Sequence, residues 1–270
     1  MDAREKADLL RGLHAGPRIL VLPNAWDVAS ARIFEAVGAH AVATTSAGVA
    51  NSLGYPDGEA IPAEEMLAAV ARIAHAVSVP VTADLEAGYG DPAATAAGAI
   101  AAGAVGLNLE DGIGDDSKAA LRPVEEQAAA VAAVREAADR AGVPLVINAR
   151  TDVFLRGIGP EAERVELAAA RANAYLEAGA DCAFLIGVTN ADTIGELVGA
   201  VRGPVSVLAR PGSPPVAELE RLGVRRVSVG PYPMRATAAL TQRIAEELLG
   251  PGTYASLGEP PYPDLNALLG

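Results

Sequence analysis

The chain has 270 residues, 51% hydrophobic and 20% charged, with 34 acidic side chains against 21 basic ones and a formal net charge of −13. That apolar content supplies a large core and excludes a disordered chain, and the acidic balance excludes the basic footprint that nucleic acid or an anionic membrane surface requires. A single cysteine, Cys182, excludes a disulfide framework and a cysteine metal cluster, and the amino terminus, MDAREKADLLRG, carries no apolar signal core, so a cytoplasmic protein is expected.

In chain order, eight short apolar runs begin near Ile19, Ala41, Val79, Gly106, Val143, Cys182, Pro204 and Arg226. They are apolar on both faces, as strands of a parallel sheet are. Alanine-rich helical segments separate them; Met66, Val70, Ile73 and Val77, for instance, fall on one helix face. Pro62, Pro92, Pro123 and Pro160 mark first turns of helices and Asp91 an N-cap, while Gly38, Gly103, Gly142, Gly179 and Gly223 mark helix ends just before the next strand. The long uncharged stretch from Pro92 to Leu109 reads as a buried helix running into a strand, not as a membrane span. A strand–helix unit repeated eight times predicts a (β/α)8 barrel of the TIM type. It spans residues 1–270 as one domain, with an extended C-terminal helix and a Pro-rich tail, 251–270, wrapping the barrel or a neighbour. An open doubly wound sheet is disfavoured, because VLPNAWD stands where its glycine fingerprint would follow the first strand. Longer loops follow the strands at 47–61, 111–122 and 151–159, on the face where barrel active sites lie.

The strand ends carry the chemistry. They bring up Asn24, Trp26 and Asp27; Thr44, Thr45 and Ser46; Asp84 and Glu86; Asn108, Glu110 and Asp111; Asn148, Arg150 and Asp152; then Gly187, Arg210 and Gly230. Asp84 and Glu86, two apart on a strand, are expected to share a face, with Glu110 on the adjacent strand. Three converging carboxylates repel one another unless a cation sits among them. With no histidine or thiolate nearby the cation is expected to be hard, Mg2+ with Mn2+ as a substitute. Arg150 follows an apolar run and needs an anionic partner, either a substrate oxygen or Glu110 or Asp152. The turn at Thr45, Ser46 and Ala47 offers amide groups for a substrate carboxylate. Trp26 either lines the site or packs beneath it. His14, His40, His75 and Cys182 are expected to be packing or surface residues. The only lysines, Lys6 and Lys118, lie off the strands, which disfavours a Schiff-base aldolase.

The stretches PNAWDVASARIFEAVGAHAVATTSAG, LGYPDGE, VTADLEAGYGD, LNLEDG and INARTDVF resemble, in order, the isocitrate lyase/phosphoenolpyruvate mutase superfamily. The resemblance runs from about Pro23 to Phe154 and continues weakly through EAGADCAFLIG. It implies a (β/α)8 barrel, often with its last helix swapped, assembled as a homodimer or homotetramer. It also implies Mg2+ and small 2-oxo or 2-hydroxy acid substrates, broken or made at a C–C or P–C bond through an enolate. By position it implies Asp84 as direct metal ligand, Glu86 and Glu110 as holders of metal-bound water, Asp57 as an active-site acid, Thr45, Ser46 and Ala47 as the carboxylate turn, and Arg150 as the arginine on substrate oxygen. The family usually has aspartate where Glu86 stands. The lyase loop motif of lysine, cysteine, glycine and histidine is replaced by DGIGDDSKAALRP. That loop is expected to be a mobile lid, and Asp57, Tyr89, Lys118 or a metal-bound water is left to carry the proton. The expected activity is C–C cleavage of a small 2-oxo or 2-hydroxy dicarboxylate, with phosphonopyruvate-type P–C chemistry and a non-catalytic 2-oxo acid binding barrel as alternatives.

Overall fold

Strands that are apolar on both faces need cover on both sides and pairing on both edges, and closing the sheet meets both demands. The computed structural model describes residues 1–114, 120–258 and 261–270. The chain runs α1 (Ala3–Ala15), β1 (Leu20–Leu22), β2 (Asn24–Ala25), α2 (Val28–Ala36), β3 (Val42–Thr44), α3 (Ser46–Ser52), α4 (Ala63–Ala76), β4 (Val81–Asp84), α5 (Pro92–Ala101) and β5 (Gly106–Glu110). It continues through α6 (Val124–Ala141), β6 (Val146–Thr151), α7 (Arg164–Glu177), β7 (Cys182–Leu185), α8 (Ala191–Ala200), β8 (Val205–Leu208), α9 (Val216–Arg221), β9 (Arg226–Ser228), α10 (Tyr232–Leu249) and α11 (Leu265–Leu269).

The described strands are all parallel, in the order β1-β9-β8-β7-β6-β5-β4-β3-β2. Pro23 divides β1 from β2, and the two halves serve opposite edges, Val21 lying opposite Val227 and Asn24 opposite Ala43. The Ala43 amide donates to the Pro23 carbonyl at 3.0 Å. Together β1 and β2 fill one barrel position, so the sheet closes as the eight-unit barrel that the repeat predicts.

The helices bury the faces expected of them: Met66, Val70 and Ile73 on α4 are buried, as is Val77 just after it. Pro92 takes the first helical position of α5, whereas Pro62 and Pro123 sit one residue earlier, at the N-caps of α4 and α6. One loop expectation is corrected. Part of 47–61 is helical, because Thr45 caps α3 by accepting from the Gly48 amide at 3.4 Å. At the far end of the chain, α10 has no buried residue. The tail then returns to its own barrel, where Arg32 of α2 donates to the Leu268 carbonyl at 2.6 Å. Among the described residues no helix is long and apolar enough to cross a membrane.

The closed barrel also needs a floor, and α1 supplies it. Leu10 reaches Gly106 so closely that a Cβ there would lie 2.9 Å from it. Beside it His14 is buried, its Nδ1 bonded to the Leu10 carbonyl at 2.8 Å and its Nε2 3.5 Å from Nη1 of the equally buried Arg226. Burial first, and the Arg226 charge second, hold the His14 imidazole down from 6.5 to about 4. A histidine depressed in the folded state is neutral there while the unfolded chain takes up a proton below pH 6.5, so stability falls as pH drops from there towards 4. Between pH 7.5 and 5 the loss from this one group is about 2 kcal/mol. Chemical denaturation of wild type and His14→Gln over that range should show the decline flattened by about that amount in the variant.

Candidate active site

The acidic end of the site is built by a turn. Strand β4 stops at Asp84, and Glu86 takes a left-handed φ of 51°. Asp84 and Glu86 thus reach one cavity through a strained turn, not through the strand alternation expected from their spacing. Glu59 and Tyr89, at φ 57° and 53°, share the strain, at about 1–3 kcal/mol for each such residue. The three are bonded to one another. The Glu59 amide donates to Glu86 Oε2 at 2.7 Å, the Tyr89 amide to Glu59 Oε1 at 2.7 Å, and the Tyr89 hydroxyl to Glu86 Oε1 at 3.2 Å. The loop that carries Asp57 is thereby tied to the turn that carries Glu86.

Asp84 is aimed by its neighbours. The Ser46 amide and hydroxyl each donate to its Oδ2 at 3.0 Å, and Asn108 Nδ2 donates to its Oδ1 at 3.1 Å. Of the turn expected to hold a carboxylate, Thr45, Ser46 and Ala47 all line the cavity, but the Ser46 amide is already committed to Asp84.

Arg150 meets both of its expected anionic partners. Its Nη1 lies 2.5 Å from Glu110 Oε2, while Nε and Nη2 donate to Asp152 at 2.6 and 3.1 Å. Asp152 also pairs with Arg156 Nε at 3.0 Å, and its amide donates to Asp111 Oδ1 at 2.9 Å. Asp111 accepts in turn from the Tyr175 hydroxyl at 2.7 Å and Arg171 Nε at 2.8 Å. The ends of the loop 111–122 are fastened: Gly112 bridges Leu121, and Arg156 donates to the carbonyls of Ile113 and Gly114 at 3.0 and 3.1 Å. The crown of the expected lid, with Lys118, lies in 115–119, outside the described residues.

These groups surround a cavity of about 290 Å³ at the C-terminal mouth, which Asp57, Asp84, Glu86, Glu110 and Arg150 all line. Burial first, then the charges of Asp57 and Asp84, push the Glu86 carboxyl up to about 8. Burial also lifts Glu110 well above the usual carboxylate range; Arg150 opposes the rise, and Asp152, Asp84 and Glu86 add to it. Burial works against the Arg150 charge, but Glu110 and Asp152 outweigh it and raise the guanidinium further. Among the described residues no three His, Cys, Asp or Glu side chains are grouped closely enough to ligate one ion together. The donor set still fits a hard cation held by Asp84, with Glu86 and Glu110 acting through water, since all three repel one another without it.

Other residues fall outside the site. Trp26 faces Met234 and Thr237 in a separate hollow, and Cys182 is buried on β7, its thiol pushed up to about 12 by burial. Sequence reasoning missed Glu59 as a partner of Glu86, and no local signal marks it. Arg156 carries one, since it stands four residues after Asp152 in RTDVFLR. Tyr232 and Arg235, which also line the cavity, lie in α10, beyond the strand ends where the sequence concentrates its chemistry.

The family model described as phosphoenolpyruvate phosphomutase matches residues 10–249. An oxaloacetate decarboxylase of Bradyrhizobium is 30% identical over 254 residues, covering 92% of this chain and 85% of that protein. A crystal structure from Burkholderia cenocepacia, provisionally named a phosphonomutase, is 44% identical with a TM-score of 0.81, covering 88% of this chain and 99% of that one. An oxaloacetate acetylhydrolase in complex with oxalate is 26% identical with a TM-score of 0.86, covering 98% of this chain and 93% of that one.

The Asp152 carboxylate, fully buried between two arginines, should be the most sensitive support of the site. Asp152→Asn leaves both guanidinium groups short of charge and should cost about 3 kcal/mol or more of stability. Urea denaturation measures it; a loss below about 1 kcal/mol, the scale of an exposed pair, would show the pairing to be dispensable.

Proposed function

Because the chain belongs to the isocitrate lyase/phosphoenolpyruvate mutase superfamily, we propose that it is a Mg2+-dependent lyase or hydrolase cleaving a C–C bond in a small 2-oxo or 2-hydroxy dicarboxylate. The observation that carries this is Arg150. It is neutralised by Glu110 and Asp152 through three of its five N–H donors and lines the cavity. A guanidinium held in place before substrate arrives stabilises negative charge that develops on an oxygen without reorganising. Bound at Asp84, Mg2+ would supply Lewis acidity towards the oxygens of the same substrate.

The chain's own residues divide the remaining work. Ser46 and Asn108 keep Asp84 in place. Among the described residues the Ala47 amide makes no hydrogen bond to protein, so it is the donor left at the start of α3 for a substrate carboxylate. In a 2-hydroxy acid the hydroxyl proton leaves, its carbon becomes a carbonyl, and the adjacent C–C bond breaks. Arg150 stabilises the negative charge on the 2-oxygen as its proton leaves, and the electron pair of the broken bond forms an enolate on the departing fragment, whose carbon is then protonated. Asp57 lines the cavity on the loop tied to Glu86, and we assign the proton transfer to its carboxyl group.

The partners of this reading are a small carboxylate substrate and further copies of the chain. A homodimer or homotetramer would cover α10, which exposes Leu240 and Leu248. Neither nucleic acid nor membrane is included.

An assay for pyruvate, glyoxylate or oxalate released from a panel of diacids, with phosphonopyruvate included, tests the activity. Turnover should require Mg2+ and vanish in Asp84→Ala; full turnover after EDTA treatment would remove the metal from the reaction, and binding of 2-oxo acids with no turnover would make the barrel a binding protein. Asp57→Asn should slow turnover by about 10²–10⁴, the range of a general acid or base, and Lys118→Ala by less than about tenfold. The reverse ranking would move the proton to the loop.

A further inference from the structure

Two cations in the cavity have no part in the chemistry above. Arg210 follows β8, and Arg235 lies in the first turn of α10, after β9; both line the cavity. In an eight-position barrel β8 stands across from β4, which ends in Asp84, and β9 across from β5, which ends in Glu110. The cavity is therefore polarised. Asp57, Glu59, Asp84 and Glu86 gather on one side, and two arginines stand on the other.

Among the described residues neither arginine is neutralised by an ion pair. The Arg210 amide is bonded to Ser213 Oγ, but no hydrogen bond of its side chain to the described residues is seen. The Arg235 guanidinium lies 5.8 Å from the Tyr232 ring centroid, a contact that steers it and leaves its charge uncompensated. In a chain with 34 acidic side chains, two unpaired arginines on one cavity wall form a surface that selects an anion. The wall beside them is uncharged. Gly187, after β7, has φ +92° and a Cβ there would come within 2.5 Å of the Leu155 amide nitrogen, so no larger side chain fits from that strand.

We propose that Arg210 and Arg235 form a second anion subsite that reads the distal carboxylate of the substrate, making the preferred substrate a dicarboxylate that spans the cavity from Asp84 and Arg150 to the β8–β9 wall. The proposal rests on the assignment of the Asp84–Arg150 end as the 2-oxo acid site. Planar guanidinium groups suit a carboxylate because they can bind it in two-pronged fashion.

Titration calorimetry on the full chain with Mg2+, using pyruvate and 3,3-difluorooxaloacetate as probes, separates the two ends. Wild type should bind the diacid more tightly than pyruvate. The double variant Arg210→Gln/Arg235→Gln should weaken the diacid by about 10- to 100-fold, the worth of charge-assisted hydrogen bonds, and pyruvate by less than about threefold, a difference near 0.6 kcal/mol. Arg210→Lys/Arg235→Lys, which keeps the charge, should fall between. Thermal melts of the variants should match wild type, because both side chains are exposed. An unchanged diacid affinity in the double variant with pyruvate binding intact overturns the subsite and leaves the 2-oxo acid site standing. Equal losses for both probes overturn it as a distal reader. Wild type binding neither probe defeats the 2-oxo acid assignment and the subsite with it. Phosphonopyruvate bound more than about tenfold more tightly than the diacid, a gap of some 1.4 kcal/mol, would overturn the carboxylate as its ligand.

Discussion

A guanidinium buried at the mouth of a barrel cannot stand alone, and the neutralisation of Arg150 is the constraint on which the rest of the site depends. Glu110 and Asp152 grip it from the ends of two adjacent strands, whose register sets Glu110 directly opposite Arg150. Asp152 cannot serve Arg150 alone, because Arg156 shares its other oxygen, and Arg156 also holds the carbonyls at the root of the β5 loop. The position of that loop and the orientation of the arginine are therefore linked through one buried carboxylate. Gly112 is part of the same arrangement, since a Cβ there would strike both Arg156 and Asp152.

The opposite problem arises at Asp84, Glu86 and Asp57, where negative charge gathers. Left-handed backbone at Glu59, Glu86 and Tyr89 holds these groups against their repulsion, and the hydrogen bonds among them offset the strain. Glu86 and Glu110, both lifted above their ordinary range by burial and by neighbouring carboxylates, mark a mouth that favours a positive ligand. Residual attraction for a cation at one end, and for an anion where Arg210 and Arg235 stand, make the cavity suited to a small acid bound in one direction.

Beneath the site the barrel interior is not purely apolar. Arg226, fully buried, donates through Nη2 to Asn108 Oδ1 at 3.1 Å, where Asn148 Nδ2 also donates at 2.8 Å. With its oxygen occupied twice, the Asn108 amide must turn its nitrogen to Asp84. Burial lowers the Arg226 guanidinium to about 10, which still leaves it charged at neutral pH. The floor laid by α1 thus reaches the mouth through a short chain of polar contacts.

The eightfold repeat, the helix ends and the residues at the strand ends were legible from the sequence alone, because helix periodicity, capping and strand patterning are local properties of the chain. Closure then followed, and with it the appearance of Asp84, Glu110 and Arg150 at one mouth. Only the tertiary structure decided how they sit there. The turn at 84–86 overrides strand alternation, α3 replaces part of a predicted loop, and Trp26 faces away from the cavity. Asp111 finds Tyr175, and Arg226 finds Asn108, across separations of 64 and 118 residues. Such partners are chosen by where the closed barrel sets its strands and by the cost of leaving a buried charge or hydrogen-bonding group unpaired, and neither is written in any short stretch of residues.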